Sequence, residues 1–284
     1  AGRMEICDSA VHYIDRAQAT SPSTTVWRGW SPMGRPARSS LDGELAANAR
    51  RLFISGDVVR GFLDGATAAE VRAANRLLSA ELESRDVHRR ERLMRRARFP
   101  QVKSFEGYDY SQVAFPDGYG PADLESLSFL DTAEGFVFHG RTGRGKTHLA
   151  TAMGVRAVSM GRPVRFHSTA RLVMQLERAR ADGKLDGALR DATNADLVIL
   201  DEFGYVPIDV AGARLLFQVV SDCYERRSLV ITTNIEFGKW GTVLGDDKLA
   251  AAMIDRVVHH SRLVEFNGTS HRMDQALMLS GNGS

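Results

Sequence analysis

Residues 139–150 read HGRTGRGKTHLA, and one spacing within them limits the surrounding fold more than anything else in the chain. Gly140 is followed by four residues and then by Gly145, Lys146 and Thr147. Glycines at both ends let the backbone wrap so that its N–H groups turn inward onto phosphate oxygens. Such a wrap works at the N-terminus of a helix, where the dipole adds positive charge. Both flanks that it needs are present, with apolar residues 136–138 running into Gly140 and a helical pattern starting near Lys146. The expectation is a strand–loop–helix in which Gly140, Arg141, Thr142, Gly143, Arg144, Gly145, Lys146 and Thr147 surround a phosphate chain. Lys146 reaches the β- and γ-phosphates, and Thr147 ligates Mg²⁺. His148, directly after the loop, caps or packs.

Around this loop, short apolar runs alternate with amphipathic stretches. GFVFHG, RPVRFHS, ADLVILDE, RSLVITTN and SRLVEFN are five strand candidates, separated by segments such as ARLVMQLERARADG and GARLLFQVVSDCYERR. That alternation predicts an α/β fold with a parallel five-stranded sheet flanked by helices. The third candidate ends in Asp201 and Glu202. A carboxylate at a strand tip is placed to hold Mg²⁺, which is the role expected of Asp201. Glu202 can then take a proton from a water attacking the γ-phosphate. The fourth candidate ends in Thr232, Thr233 and Asn234, and Asn234 is the choice for aligning that water or the γ-phosphate.

The N-terminal part differs. Residues 1–44 lack periodicity, are rich in Ser, Thr, Pro and Gly, and read as an irregular or disordered extension despite Trp27 and Trp30. Residues 45–100 read as a helical region. Thr67 to Glu70 have capping-box spacing ahead of Val71, Ala74, Leu78 and Leu82, which fall on one helix face, and Pro100 should stop that helix. Cys7 and Cys223 fit neither a zinc-ligand spacing nor a disulfide framework, which suits a cytoplasmic protein. No apolar run reaches the ~18 residues of a membrane span, and no signal-peptide pattern opens the chain. His139, His148, His167, His259, His260 and His271 form no metal-ligand cluster by spacing.

Taken together these motifs resemble the AAA+ ATPases. More narrowly they resemble the IstB family, ATP-dependent helpers of bacterial insertion sequences that are related to the DnaC helicase loaders. The narrower likeness rests on RRERLMRRARFPQVKSFEGYDYS, DEFGYVPID, ITTNIEFGKW, AAMIDRVVHHS and FNGTSHRM, and covers about residues 66–275. It implies an ATPase domain over residues 101–275 followed by a tail at 276–284. Asn234 matches the first sensor, and Arg256 the arginine finger that reaches a neighbour's γ-phosphate. Arg272 matches a second sensor, although too few residues follow it for a full C-terminal lid. In the linker SFEGYDYS, Tyr108 (with Phe105 and Tyr110 as alternatives) either stacks on adenine or pins the helix to the sheet. The resemblance further implies an ATP-dependent oligomer on double-stranded DNA that stimulates a transposase. A DnaC-type helicase loader is the nearest alternative, with a nucleotide-gated scaffold and a small-molecule kinase behind it.

Charge is distributed to match a nucleic-acid partner. The chain carries only +2 overall, yet residues 85–103 carry +6 through Arg85, Arg89, Arg90, Arg92, Arg95, Arg96, Arg98 and Lys103 against Asp86 and Glu91. Arg89, Arg92 and Arg96 are the DNA-contact candidates there, unless the patch instead meets a neighbouring subunit. A second, weaker set is Arg171, Arg178 and Lys184. Nothing resembles base-reading chemistry, so backbone contacts with strong salt dependence are expected.

Overall fold

A computed structural model describes residues 38–268. The readings on Trp27, Trp30, His271, Arg272 and the tail lie outside that range. The chain divides into two compact units, with the described residues up to Arg92 in one and those from Leu93 onward in the other.

In the first unit, α1 (Arg38–Arg51) and α2 (Gly56–Gly65) precede α3 (Ala68–Ala97), which continues past the unit boundary. α1 begins inside the stretch read as irregular, because Leu41, Leu45 and Ala49 recur every fourth residue and are buried. Ser39 and Ser40 before Leu41, with Asp42 and Gly43 after it, hide that periodicity. Leu41, Leu45 and Val71 form a small core with Leu63, Ala66, Ala74 and Leu78 packed against it. The capping box at the start of α3 is formed: Thr67 donates its N–H and its hydroxyl to Glu70 Oε2, both at 2.7 Å. These bonds hold the exposed Glu70 carboxyl below its ordinary pKa. α3 stops at Ala97 as Arg98 turns left-handed (φ 60°), two residues before Pro100.

The second unit is built on a six-stranded sheet. The five expected strands are β2 (Gly135–Gly140), β3 (Val164–Ser168), β4 (Leu197–Phe203), β5 (Ser228–Thr233) and β6 (Ser261–Phe266), and each runs parallel to its neighbours among the five. The sixth, β1 (Val113–Ala114), pairs antiparallel with β6, so the sheet is mixed and not purely parallel. Two residues carry no periodicity, which is why no sequence pattern marked β1. Spatial order is β1-β6-β2-β5-β4-β3. The inner strands read as continuous apolar runs because helices cover both faces. α4 (Pro121–Ser126), α5 (Lys146–Ser159), α6 (Thr169–Ala181), α7 (Leu185–Thr193), α8 (Val210–Cys223), α9 (Trp240–Leu244) and α10 (Asp247–His260) supply those helices. Cys223 is buried and free, and burial pushes its thiol up to about 12. Among the described residues, no helix is long and apolar enough to cross a membrane.

One consequence of this order positions the site. β5 lies between β2 and β4, so the carboxyl ends of these three strands are neighbours. Ligands of open α/β sheets bind in the crevice outside those ends. Trp240 anchors the chain beyond β5: it is fully buried, its ring lies 4.1 Å from Phe203, and its indole N–H donates to the Ile235 carbonyl at 3.4 Å. Trp240→Ala should destabilise the second unit by about 3–5 kcal/mol, read as a lower midpoint in urea with an unchanged slope.

Candidate nucleotide site

At the carboxyl end of β2 the loop folds as its glycines require. Gly140 has φ 151° and sits against the Phe266 backbone, where a Cβ would collide with the carbonyl oxygen. Gly145 has φ 85°, and a Cβ there would come within 2.6 Å of the Tyr108 hydroxyl. The loop closes around Lys146, which is buried and donates to the carbonyls of Gly140 at 2.6 Å and Arg141 at 2.9 Å. Arg144 donates to the Phe266 carbonyl at 3.0 Å, so its guanidinium braces the loop on β6.

The carboxylates meet this loop at the tip of β4. Asp201 is buried, and its Oδ1 accepts the Thr147 hydroxyl at 2.8 Å and the Thr232 hydroxyl at 2.5 Å. Thr232 Oγ1 also accepts the Glu202 N–H at 3.0 Å. The β4–β5 register slips here: Leu200 pairs with Ile231 but Phe203 with Thr233, so β4 carries one extra residue. That is a β-bulge, a device that re-aims side chains beside functional sites. Glu202 stands in it with φ 59°, an unusual backbone for a residue with a side chain, and is exposed.

A cleft of about 800 Å³ runs over this constellation. Thr142, Gly143, Arg144, Gly145, Lys146, Thr147, His148, Asp201, Glu202 and Tyr108 line it, so ten candidates share one concavity. The Tyr108 hydroxyl points at the Gly145 carbonyl (3.4 Å), and its ring lies 5.1 Å from that of His148, whose Nε2 meets the Ser104 carbonyl at 2.9 Å. Burial, and then the Asp109 charge, raise the Tyr108 pKa, so the phenol keeps its proton. Tyr110 instead bonds Glu125 at 2.7 Å and does not line the cleft.

Arg171, assigned to nucleic acid from the sequence, lines the nucleotide cleft. Asn234 is exposed just past β5 and is not among the cleft-lining residues. Arg256, on α10, donates to the Ala252 carbonyl at 2.9 Å, and its guanidinium lies 4.7 Å from the centre of the Phe217 ring. It shares a small hollow with Gly135, Leu229 and Ser261, near the amino-terminal ends of β2, β5 and β6, whereas the cleft lies at the carboxyl ends of β2, β3 and β4. Two residues escaped the sequence reading as contributors. Thr232 was passed over for Asn234, although its place on a strand beside Asp201 was the available signal. Tyr205 also lines the cleft, and its hydroxyl meets that of Thr142 at 3.4 Å, joining the loop to the turn after β4.

The residues fit both expected ligands. Backbone amides at the start of α5 and the Lys146 ammonium offer only positive charge to a phosphate chain. Thr147 Oγ1 and Asp201 Oδ1 lie 2.8 Å apart. Adjacent oxygens around an octahedral Mg²⁺ with bonds of ~2.0–2.1 Å lie about 2.9 Å apart, so these two are spaced to share one.

Comparison with known proteins converges on one family. Residues 64–278 match the family described as IstB-like ATP binding protein. The ATP-binding protein of insertion sequence IS5376 from Geobacillus stearothermophilus is 37% identical over 198 residues, covering 70% of this chain and 79% of that one. That of insertion sequence IS21 from Pseudomonas aeruginosa is 35% identical over 198 residues, covering 70% and 75%. Among solved structures, the DnaC helicase loader aligns with a TM-score of 0.44 at 22% identity, covering 53% of this chain and 95% of that one. AMPPCP-bound DnaA from Aquifex aeolicus aligns with a TM-score of 0.48 at 17% identity, covering 62% and 54%.

The Thr232 hydroxyl serves two partners, the buried Asp201 carboxylate and the Glu202 N–H, and this can be measured without any ligand. Thr232→Val should cost about 1–3 kcal/mol of unfolding free energy by leaving the Glu202 N–H and one Asp201 bond unmade, and Thr232→Ser should restore most of it.

Proposed function

Since the chain belongs to the IstB-like ATP-binding proteins, we propose that it is an AAA+ ATPase that assembles on double-stranded DNA in its ATP-bound form and stimulates a partner transposase. The observation that carries hydrolysis is Glu202, held in the cleft by a β-bulge directly beside Asp201. Strain of this kind persists where the surrounding structure enforces it, commonly at functional sites. In the proposed reaction Lys146 and the α5 amides hold the β- and γ-phosphates, and Thr147 and Asp201 hold Mg²⁺. The ion, when bound, neutralises charge on the β- and γ-oxygens. Glu202 takes the proton of the attacking water and Tyr108 walls the cleft, while Asn234, which does not line it, keeps a water-aligning role only if the segment after β5 moves inward when nucleotide binds.

Arg256 enters this scheme from another copy of the chain. Its hollow lies at the amino end of β2, and six residues of strand separate that end from the phosphate loop by roughly 17–20 Å. An arginine side chain does not span that distance, so the γ-phosphate it serves is a neighbour's. The proposed oligomer rests on the same reading of Arg256.

For DNA, Arg89, Arg92 and Arg96 are exposed at three- and four-residue spacings on α3. Arg96 is 3.8 Å from Asp191, an exposed pair that a phosphate backbone can replace at little cost. Arg178 and Lys184 are also exposed and form the second contact set, from which Arg171 is withdrawn to the cleft. The transposase is proposed because the relatives at 35–37% identity are named as proteins of insertion sequences.

Three outcomes are expected. Glu202→Gln should lower ATP turnover by about 10²–10⁴-fold while ATP still binds. Lys146→Ala and Arg256→Ala should each be inactive alone, and mixing them should recover turnover through interfaces that pair an intact loop with an intact arginine. A long random duplex should be retained with ATP and Mg²⁺ but neither with ADP nor by Lys146→Ala. Retention should weaken steeply with salt. Duplex binding indifferent to nucleotide would count against ATP-gated assembly.

A further inference from the structure

A second ligand-competent cluster lies at the far end of the sheet, outside the nucleotide cleft. α10 ends in His259 and His260, whose ring centres are 4.6 Å apart at 74°. Glu225, two residues past α8, reaches them from another part of the chain, with its Oε1 3.3 Å from His260 Nε2. One donor atom from each of the three residues lies within 4.8 Å of the other two. Adjacent histidines on a helix give no metal spacing, and the third donor is distant in sequence, which is why the cluster is invisible in the text.

We propose that Glu225, His259 and His260 form a binding site for a transition-metal dication of the Zn²⁺ type. Two imidazoles and one carboxylate are a donor set suited to Zn²⁺, Co²⁺ or Ni²⁺, whereas Mg²⁺ prefers oxygen throughout. Ligands of a tetrahedral ion with bonds of ~2.0–2.2 Å lie about 3.3–3.6 Å apart, so the three must close by roughly 1 Å. Glu225 and His259 are exposed and free to make that adjustment. The Tyr224 hydroxyl, 3.0 Å from His259 Nδ1, supplies an outer partner of the kind that orients a ligating ring and leaves Nε2 for the ion. The carbonyl end of α10 adds the negative pole of its dipole. Three protein ligands leave a fourth position open to water or to a neighbouring chain.

Bound metal would tie the end of α10 to the turn after α8. Arg256 lies one helical turn before His260, and the two share a hollow with Tyr224 and Glu225. Occupancy would therefore limit where Arg256 can swing. This consequence rests on the proposed role of Arg256, while the site itself does not.

The full-length chain, stripped with chelator and free of nucleotide, is titrated with Co²⁺ and followed by visible absorption, then challenged with Zn²⁺. The expected result is one equivalent of Co²⁺ more in the unaltered chain than in His259→Ala/His260→Ala, displaced by Zn²⁺ and retained in Lys146→Ala. Glu225→Gln, which keeps both rings, should weaken Co²⁺ binding at least tenfold with an unchanged melting temperature. Equal Co²⁺ uptake by the unaltered chain and the double variant, or uptake by neither, would overturn the site and leave a simple His260–Glu225 hydrogen bond. ATP turnover is measured separately with and without Zn²⁺. A change in the unaltered chain but not in the double variant supports the link to Arg256, and Zn²⁺ binding with unaltered turnover overturns that link alone.

Discussion

A single buried carboxylate organises this molecule. Asp201 is 5% exposed, and a polar group so placed needs hydrogen-bond partners. The partners that satisfy it come from separate parts of the fold. Thr147 reaches it from the first turn of α5, and Thr232 from β5. Its main-chain carbonyl accepts the hydroxyl of Thr169 at the start of α6. The phosphate loop, the carboxylate strand, the strand between them and the helix beyond are thereby referenced to one residue. Displacing Asp201 would misplace all of them together.

The bulge follows from the same constraint. A regular β4 would alternate its side chains across the sheet, sending Asp201 and Glu202 to opposite faces. The extra residue and the left-handed backbone at Glu202 break that alternation, and the Thr232 hydroxyl holds the break by taking the Glu202 N–H while giving its own proton to Asp201. One hydroxyl thus sets two acidic residues that the proposed mechanism assigns to different tasks. A valine at position 232 would pack equally well as a strand residue and would remove both links.

Much of this was legible before any coordinates. A glycine-framed loop needs a strand before it and a helix after it, and apolar runs between amphipathic ones need a covered parallel sheet, so position and type of the five main strands were open to reading. What escaped has physical reasons. β1 is two residues long and takes its pairing from β6. α1 starts at Arg38 because Leu41 and Leu45 find a core, and their neighbours are poor helix formers. Thr232 looked like ordinary β-branched strand text, and its importance appears only once register places it against Asp201. Arg171 was grouped with other basic residues by charge, yet the first turn of α6, directly after β3, delivers it to the cleft. Charge runs identify electrostatic character, but which surface they serve is set by strand order.

That strand order also separates two chemistries that the proposed reaction must join. Phosphate-binding groups gather at the carboxyl ends of the parallel strands, while Arg256 stands at the amino ends, stacked on Phe217. Parallel strands have this polarity by construction, and no loop adjustment within one chain brings the two ends together. A hydrolytic centre that uses both is therefore divided between copies, each offering a loop on one side and an arginine on the other. Such an arrangement is heterologous, since different patches meet, and it builds rings or helical filaments instead of closed two-fold pairs. An open filament suits a partner that is itself a repeating polymer, because each added copy can meet a further stretch of phosphate backbone.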